Sequence, residues 1–253
     1  MPPRSSAAKL GVVVPASADP ADVLDLARRA ERAGVDSVWI ADSFVGDDLE
    51  ALTMMAAVTA VTEHVEVGAY MLNASLRDTA LLARMVSSLE RLAPGRIRIV
   101  LGTGWDRSDY DALGTGFPSP DARTQRTQEA LAILGGETDA SVEVAGVRDD
   151  LLTLAAAQAD GWSLSPDALD AYFERAAFLR RACELAGRRV ETLRVSCTLA
   201  AGAAVEDRIA DLAEHGMGEF RVEVNGHTDQ HDLERLVRLV AAAAPLRPRH
   251  LPV

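Results

Sequence analysis

The stretch LARRAERAGVDSVWIAD, residues 26–42, decides the architecture. Its first half puts Leu26, Ala27 and Ala30 on one face at helical spacing, with arginines and Glu31 opposite. Gly34 stands where a helix ends in a left-handed residue. Ser37-Val38-Trp39-Ile40 then reads as a strand, with Asp42 just beyond its end. Upstream, Asp19-Pro20 is an N-cap followed by proline at the first helical position. Before it, Leu10–Val14 is a β-branched strand closed by Pro15.

The same unit repeats downstream. Helices are expected over Leu49–Thr62 and Thr79–Leu92, and strands over Val65–Met71 and Ile97–Gly102. A loop from Thr103 to Pro120 precedes a helix over Ala122–Leu134. Strand Val142–Ala145, helix Asp149–Ala159 and strand Trp162–Leu164 follow. The cap Ser165-Pro166-Asp167 opens a long helix to Ala186, closed by Gly187. Strand Leu193–Ala200, helix Ala204–His215, strand Glu219–Val224 and helix Asp232–Ala243 complete the chain. Eight strands alternating with eight helices imply a parallel sheet with right-handed crossovers. With about 32 residues per unit the count favours closure, so the expected fold is a single (β/α)8 TIM barrel over 10–244. Residues 1–9 and 245–253 are expected to be ragged tails.

Composition fits that fold. Of 253 residues, 48% are apolar and 25% charged, which excludes whole-chain disorder. A net charge of −12 argues against a general nucleic-acid binder and against a polybasic membrane-surface protein. Lys9 is the only lysine among 26 basic residues. Cys183 and Cys197 show neither metal spacing nor a disulfide framework. The N-terminus has no apolar signal region, and no stretch reaches membrane-span length. A soluble cytoplasmic protein is expected.

In such a barrel the site lies at the C-terminal ends of the strands. Candidates there are Pro15 and Ala16, Asp42 and Ser43, Tyr70, Met71 and Asn73, Thr103 to Trp105, Gly146 to Arg148, Ser163 and Ser165, Ala201 and Gly202, and Glu223 and Asn225. No Ser-His-Asp set converges on these ends. His227-x3-His231, with Asp229 between, is either a ligand pair or an exposed polar cap before the last helix, and no metal site is assigned. Gly102-Thr103-Gly104 is a tight turn or a close backbone approach to a ligand; Arg107 occupies the place of a third fingerprint glycine. Gly146-Val147-Arg148 leads into a helix N-terminus that either holds a phosphate or is simply capped by Asp149. Asp42 is either loop polarity or an acid that bonds a heteroaromatic N–H. Trp105 and Trp162 are pocket walls or core.

Together, residues 26–42, Val65–Tyr70, the segment Leu82–Trp105 and the segment Leu154–Trp162 resemble the bacterial luciferase-like superfamily of flavin- and F420-dependent oxidoreductases. The resemblance covers most of 10–200 and independently implies a TIM barrel. It implies a deazaflavin or flavin across the barrel mouth, F420 in first place and FMN as the alternative. Tyr70, Met71 and Leu72 would form a third-strand bulge under the ring, with Asn73 beside it. Gly102, Thr103 and Gly104 would approach the cofactor, and Gly146, Val147 and Arg148 would take its phosphate. Asp42 matches the acid of the family's Asp-His pair, but Ser43 replaces the histidine. Thr79 replaces a usual proline, although Arg77 is retained. Ser43, Tyr70, Asp106 and Glu223 are the candidate proton donors. Asp42, Ser43 and Tyr70 stand as the catalytic candidates, while Trp105, Tyr110, Phe117 and Glu223 are expected at the substrate, under a lid from Asp106 to Pro120. The segment Leu134–Val142 is shorter than in relatives, so one cofactor wall is absent or supplied by a partner in a homodimer. The implied activity is hydride transfer to or from a small organic substrate. FMN-dependent monooxygenation and a cofactor-poor, non-catalytic paralogue are the alternatives, and a metal-dependent hydrolase rests on His227 and His231 alone.

Overall fold

Why the strands bury both faces follows from their placement in a closed ring. In a computed structural model, which describes residues 8–200, 202, 205–225 and 227–243, eight parallel strands pair in sequence order and the last returns to the first. They are β1 (Lys9–Val14), β2 (Ser37–Ala41), β3 (Glu66–Asn73), β4 (Ile97–Gly102), β5 (Ser141–Ala145), β6 (Gly161–Leu164), β7 (Arg194–Leu199) and β8 (Glu219–Glu223). The helices are α1 (Pro20–Ala33), α2 (Ala51–Val61), α3 (Thr79–Leu92), α4 (Arg107–Ala112), α5 (Pro120–Glu137), α6 (Asp149–Gln158), α7 (Tyr172–Leu185), α8 (Val205–Glu214) and α9 (Gln230–Ala243). The expected (β/α)8 barrel is therefore the fold. The expected tail 1–9 is shortened by Lys9, which already pairs in β1; residues 1–7 and 244–253, and Ala201 among the strand-end candidates, lie outside the described residues.

Local signals place the elements. The Asp19 carboxylate accepts from the Ala21 N–H at 2.8 Å, and Gly34 adopts φ +85° to close α1. Beyond shifts of one to three residues at other element ends, three departures from expectation bear on the site. The loop 103–120 contains α4, capped by Asp106, which accepts from Ser108 N at 2.9 Å. Helix α5 begins two residues earlier than expected, at Pro120, because Ser119 caps it. The long helix expected from Asp167 is a 3-10 turn over Pro166–Ala171 followed by α7; Ser165 gives it no side-chain cap.

Alternation along each strand splits the core into two layers. Val12, Val38, Val67, Ile99, Val144 and Trp162 face the helices in the main core. Val13, Trp39, Tyr70, Val100 and Ala145 face inward as a small separate cluster with Met71 packed on it. Room for Trp39 comes from Gly68, where an added Cβ would sit 2.3 Å from the indole ring.

Candidate functional site at the barrel mouth

Below the inner cluster, the strands' inward faces carry charge. Arg98 (β4) donates to Glu219 (β8) at 2.7 Å, to Glu66 (β3) at 2.8 Å and to Glu143 (β5). Arg221 (β8) donates to Glu143 at 2.8 Å and to the hydroxyls of Ser163 and Ser196 at 2.8 and 2.9 Å. Both guanidinium groups lie over the Trp39 ring, at 4.8 and 3.9 Å. Burial alone would push the Glu143 carboxyl up, but Arg221, Arg98 and Arg194 hold it well below the ordinary carboxylate range. Strand charges read from sequence gave no hint of this network.

Above it, β3 departs from regular pairing with β4 between Ala69 and Leu72, and the Tyr70–Met71 peptide bond is cis. The bulge coincides with the segment singled out by the family resemblance. It turns Tyr70 and Met71 into the wall of a cavity of about 860 Å³ at the strand C-termini, within the range of small-molecule sites. Pro15, Ala41, Glu223, Glu206, Asp232 and Arg235 share that wall. The Tyr70 ring reaches the cavity, but its hydroxyl is buried and makes no hydrogen bond. Burial raises its pKa to about 12; the nearby Thr198 hydroxyl and Arg221 oppose the rise, although the Thr198 hydroxyl also lacks hydrogen-bond geometry.

Asp42 lies behind this wall. Its carboxylate accepts from Arg77 Nη1 at 2.8 Å and Nη2 at 2.7 Å, and from the Asn73 N–H at 3.0 Å. Arg77 also pairs with Glu50 at the start of α2 and stands 5.0 Å from the Phe44 ring centroid. Burial would lower the Arg77 pKa, yet Asp42 and Glu50 raise it overall. The Ser43 hydroxyl is directed to the buried Asp109 of α4 at 3.4 Å, and Asp109 also accepts from Phe44 N at 2.8 Å. Asp42 and Ser43 thus brace the loop after β2, and neither lines the cavity.

The remaining candidates divide by position. Asn73 accepts from Ser75 N at 3.0 Å and Tyr110 Oη at 3.3 Å, while its buried amide nitrogen has no partner. Gly104, at φ +70°, lets the chain pass where a Cβ would be 2.1 Å from that nitrogen. A Cβ on Gly102 would sit 3.1 Å from Met71 Cβ, so β4 closes directly on the bulge. Leu72 is core. Tyr110 is buried against Phe117 at 5.0 Å between ring centroids, and Arg123 covers Phe117 at 4.4 Å. Trp105 is 75% exposed. Trp162 is core, donating to the Gly146 carbonyl at 2.8 Å. Arg148 pairs with Asp150 at 2.8 Å and Asp121 at 3.4 Å and gives α6 no side-chain cap. Of the sequence candidates, Pro15, Tyr70, Met71, Glu223 and Asn225 share the cavity with Gly202; the other described ones do not line it. Glu206, Asp232 and Arg235 were missed, since helix N-termini reach the cavity only through barrel closure. Among the described residues no His, Cys, Asp or Glu cluster could hold a metal.

Comparison with known proteins places this barrel in a class. The family model described as luciferase-like monooxygenase matches residues 5–143, more than half of the chain. The chain belongs to the luciferase-like monooxygenase family. Among curated relatives, an F420-dependent glucose-6-phosphate dehydrogenase of Kineococcus radiotolerans is 35% identical over 122 residues, covering 46% of this chain and 36% of that protein. Pyrimidine monooxygenase RutA of Caulobacter sp. (strain K31) is 40% identical over 67 residues, covering 26% and 19%. The matched stretch therefore spans about a third or less of these relatives' length. Among solved structures, an F420-dependent secondary alcohol dehydrogenase in complex with an F420-acetone adduct superposes with a TM-score of 0.77 at 16% identity, over 94% of this chain and 99% of that one. The F420-dependent tetrahydromethanopterin reductase of Methanopyrus kandleri follows at 0.71 and 15%, over 94% and 98%. At such identity the likeness is one of fold.

Proposed function

We propose that the protein is an oxidoreductase that binds coenzyme F420 across the barrel mouth and transfers a hydride between the deazaflavin and a small organic substrate. The observation that carries this reading is the β3 bulge, which brings Tyr70 and Met71 into the wall of the mouth cavity. The relatives' names favour F420 over FMN, and the alignment with RutA keeps FMN-dependent monooxygenation as the second reading.

The residues fit such a group in two respects. The cavity has the size of a cofactor-and-substrate site, and the glycines at the end of β4 keep side chains off the bulge. The start of α6 has no cap from Arg148 and would offer its first two N–H groups to a phosphate, with the exposed Arg148 beside them; the Leu151 N–H already donates to Asp150 at 2.9 Å, Arg148 already pairs with Asp150 and Asp121, and Asp149 and Asp150 in that first turn oppose an anion. Bound F420 would supply a ring carbon that gives or takes hydride. The chain's own part is placement. Tyr70 and Met71 would support the ring, and the Asp42–Arg77 pair would hold the bulge through Asn73 N. Glu223 would face the substrate, with burial raising its pKa. Since the Tyr70 hydroxyl is buried beneath the wall and Ser43 is turned to Asp109, proton exchange would fall to Glu223.

Absorbance titration with F420 and with FMN tests the proposal. F420 binding without FMN binding supports it, FMN alone supports the monooxygenase reading, and binding of neither leaves the cofactor-poor paralogue. A cytoplasmic homodimer is part of the same proposal, and a molecular mass in solution checks the assembly. No helix among the described residues is long and apolar enough to cross a membrane.

A further inference from the structure

The mouth cavity has two chemically different sides. Towards β1–β3 it is formed by Val13, Pro15, Ala41, Met71 and the Tyr70 ring, all without charge. Towards β8, α8 and α9 it carries three carboxyl groups, Glu223, Glu206 and Asp232, against one guanidinium, Arg235. Arg235 is already taken: it donates to Glu206 at 2.7 Å, and Asp232 stands 4.0 Å from its Nε. Neither of the nearby buried arginines is available to the cavity. Arg221, behind Tyr70, is committed to Glu143 and Glu219, and Arg77 to Asp42 and Glu50.

Glu223 is the group left over. It ends β8 as an exposed residue and opens to the cavity, and its carboxylate takes part in no hydrogen bond or ion pair; partial desolvation raises its pKa. A carboxylate without a counter-ion at a cavity wall attracts an incoming cation. Among the described residues, an incoming anion meets a net negative charge on this side, three carboxyl groups against one guanidinium that is already paired, which outweighs the two helix starts. The walls supply apolar and aromatic surface for the body that carries the charge.

We propose that this side of the cavity is a subsite for an organic cation, an amine on an apolar body, with Glu223 as its counter-ion, and that it excludes phosphate esters and carboxylates. The identification of that amine as the substrate rests on the oxidoreductase reading; the binding site itself does not. The proposal sets the chain apart from its relatives named for glucose 6-phosphate, a dianionic sugar ester.

The test is equilibrium binding to the full chain without cofactor, by calorimetry or ligand-observed NMR, using benzylamine, benzyl alcohol, benzoate and glucose 6-phosphate. Benzylamine is expected to bind at least about tenfold more tightly than benzyl alcohol, with benzoate and glucose 6-phosphate weaker still. Glu223→Gln is expected to remove the preference for amine over alcohol. A second measurement needs no variant: raising salt to about 1 M should shrink that preference in the wild-type protein. The proposal is overturned if the amine does not bind, if either anion binds as well as the amine, if the preference survives Glu223→Gln, or if it is indifferent to salt. F420 and FMN titration is run separately, so loss of the redox reading and loss of the cation subsite are distinct results.

Discussion

Arg77 grips both carboxylate oxygens of Asp42, at 2.7 and 2.8 Å, while Asp42 also accepts from the Asn73 N–H at the end of the β3 bulge. The pair is almost wholly buried and ties the ends of β2 and β3 to α2 through Glu50. Removing one partner leaves the other charge without compensation. Asp42→Asn is therefore expected to cost about 2–4 kcal/mol, a little less than an isolated buried pair because Glu50 still holds Arg77. Urea denaturation followed by circular dichroism gives the value, and an unchanged midpoint would refute this account.

Gly68→Ala tests the inner packing. Its Cβ would lie 2.3 Å from the Trp39 ring, which is itself covered by Arg98 and Arg221. With nowhere to move, the indole transmits the strain, and a loss of about 1–3 kcal/mol is expected. The double variant Gly68→Ala/Trp39→Leu should recover part of it, measured in the same denaturation experiment.

The Tyr70 hydroxyl is out of reach of any ligand above it, so Tyr70→Phe is expected to leave cofactor affinity and turnover within about twofold of wild type. Tyr70→Ala removes the ring itself and should cost about 3–5 kcal/mol of stability. Titration and melting of both variants separate ring from hydroxyl. A hundredfold drop in turnover for Tyr70→Phe would show that the phenol does chemistry.

Acid sensitivity follows from the carboxylates held by arginines. The pKa values of Glu143, Glu66 and Glu50 are lowered in the folded state from an ordinary 4.5. The unfolded chain thus takes up protons first as pH falls. The stabilisation is complete above about pH 5 and is lost progressively as pH drops through 4.5 towards the folded values. Glu143→Gln should lower stability by about 3–5 kcal/mol at neutral pH, by uncovering Arg98 and Arg221, and should flatten the acid limb of a plot of urea midpoint against pH.

If the α6 start takes a cofactor phosphate, Arg148→Met should weaken FMN or F420 by about tenfold and leave riboflavin, which has no phosphate, unaffected. Equal effects on FMN and riboflavin would remove Arg148 from the site.

How far the sequence led depends on how local each feature is. Helix α3 and strand β4 are legible to the residue, because spacing and flanking residues define them without outside help. Helix α4 is six residues in a Gly- and Ser-rich loop, and it is anchored when Asp109 binds the Ser43–Phe44 turn 65 positions earlier. Nothing in a local window marks that contact. Tyr70, Met71 and Glu223 were reached by the rule that strand ends face the site. Asp42 was found too, but its partner Arg77 comes from the next unit, so its bracing role was invisible. The interior ions were the least legible: Arg98, Glu143 and Arg221 alternate with apolar residues as solvent-facing positions do, and only closure turns that face inward.

The ionic layer under Trp39 has one more consequence. It stoppers the barrel, so the mouth cavity is a well with a sealed base. Whatever enters must leave by the same opening, past whatever already lies there. For two molecules sharing such a well, the one that binds deeper is expected to arrive first and depart last. Order of binding would then be written into the barrel's plumbing rather than into any moving part.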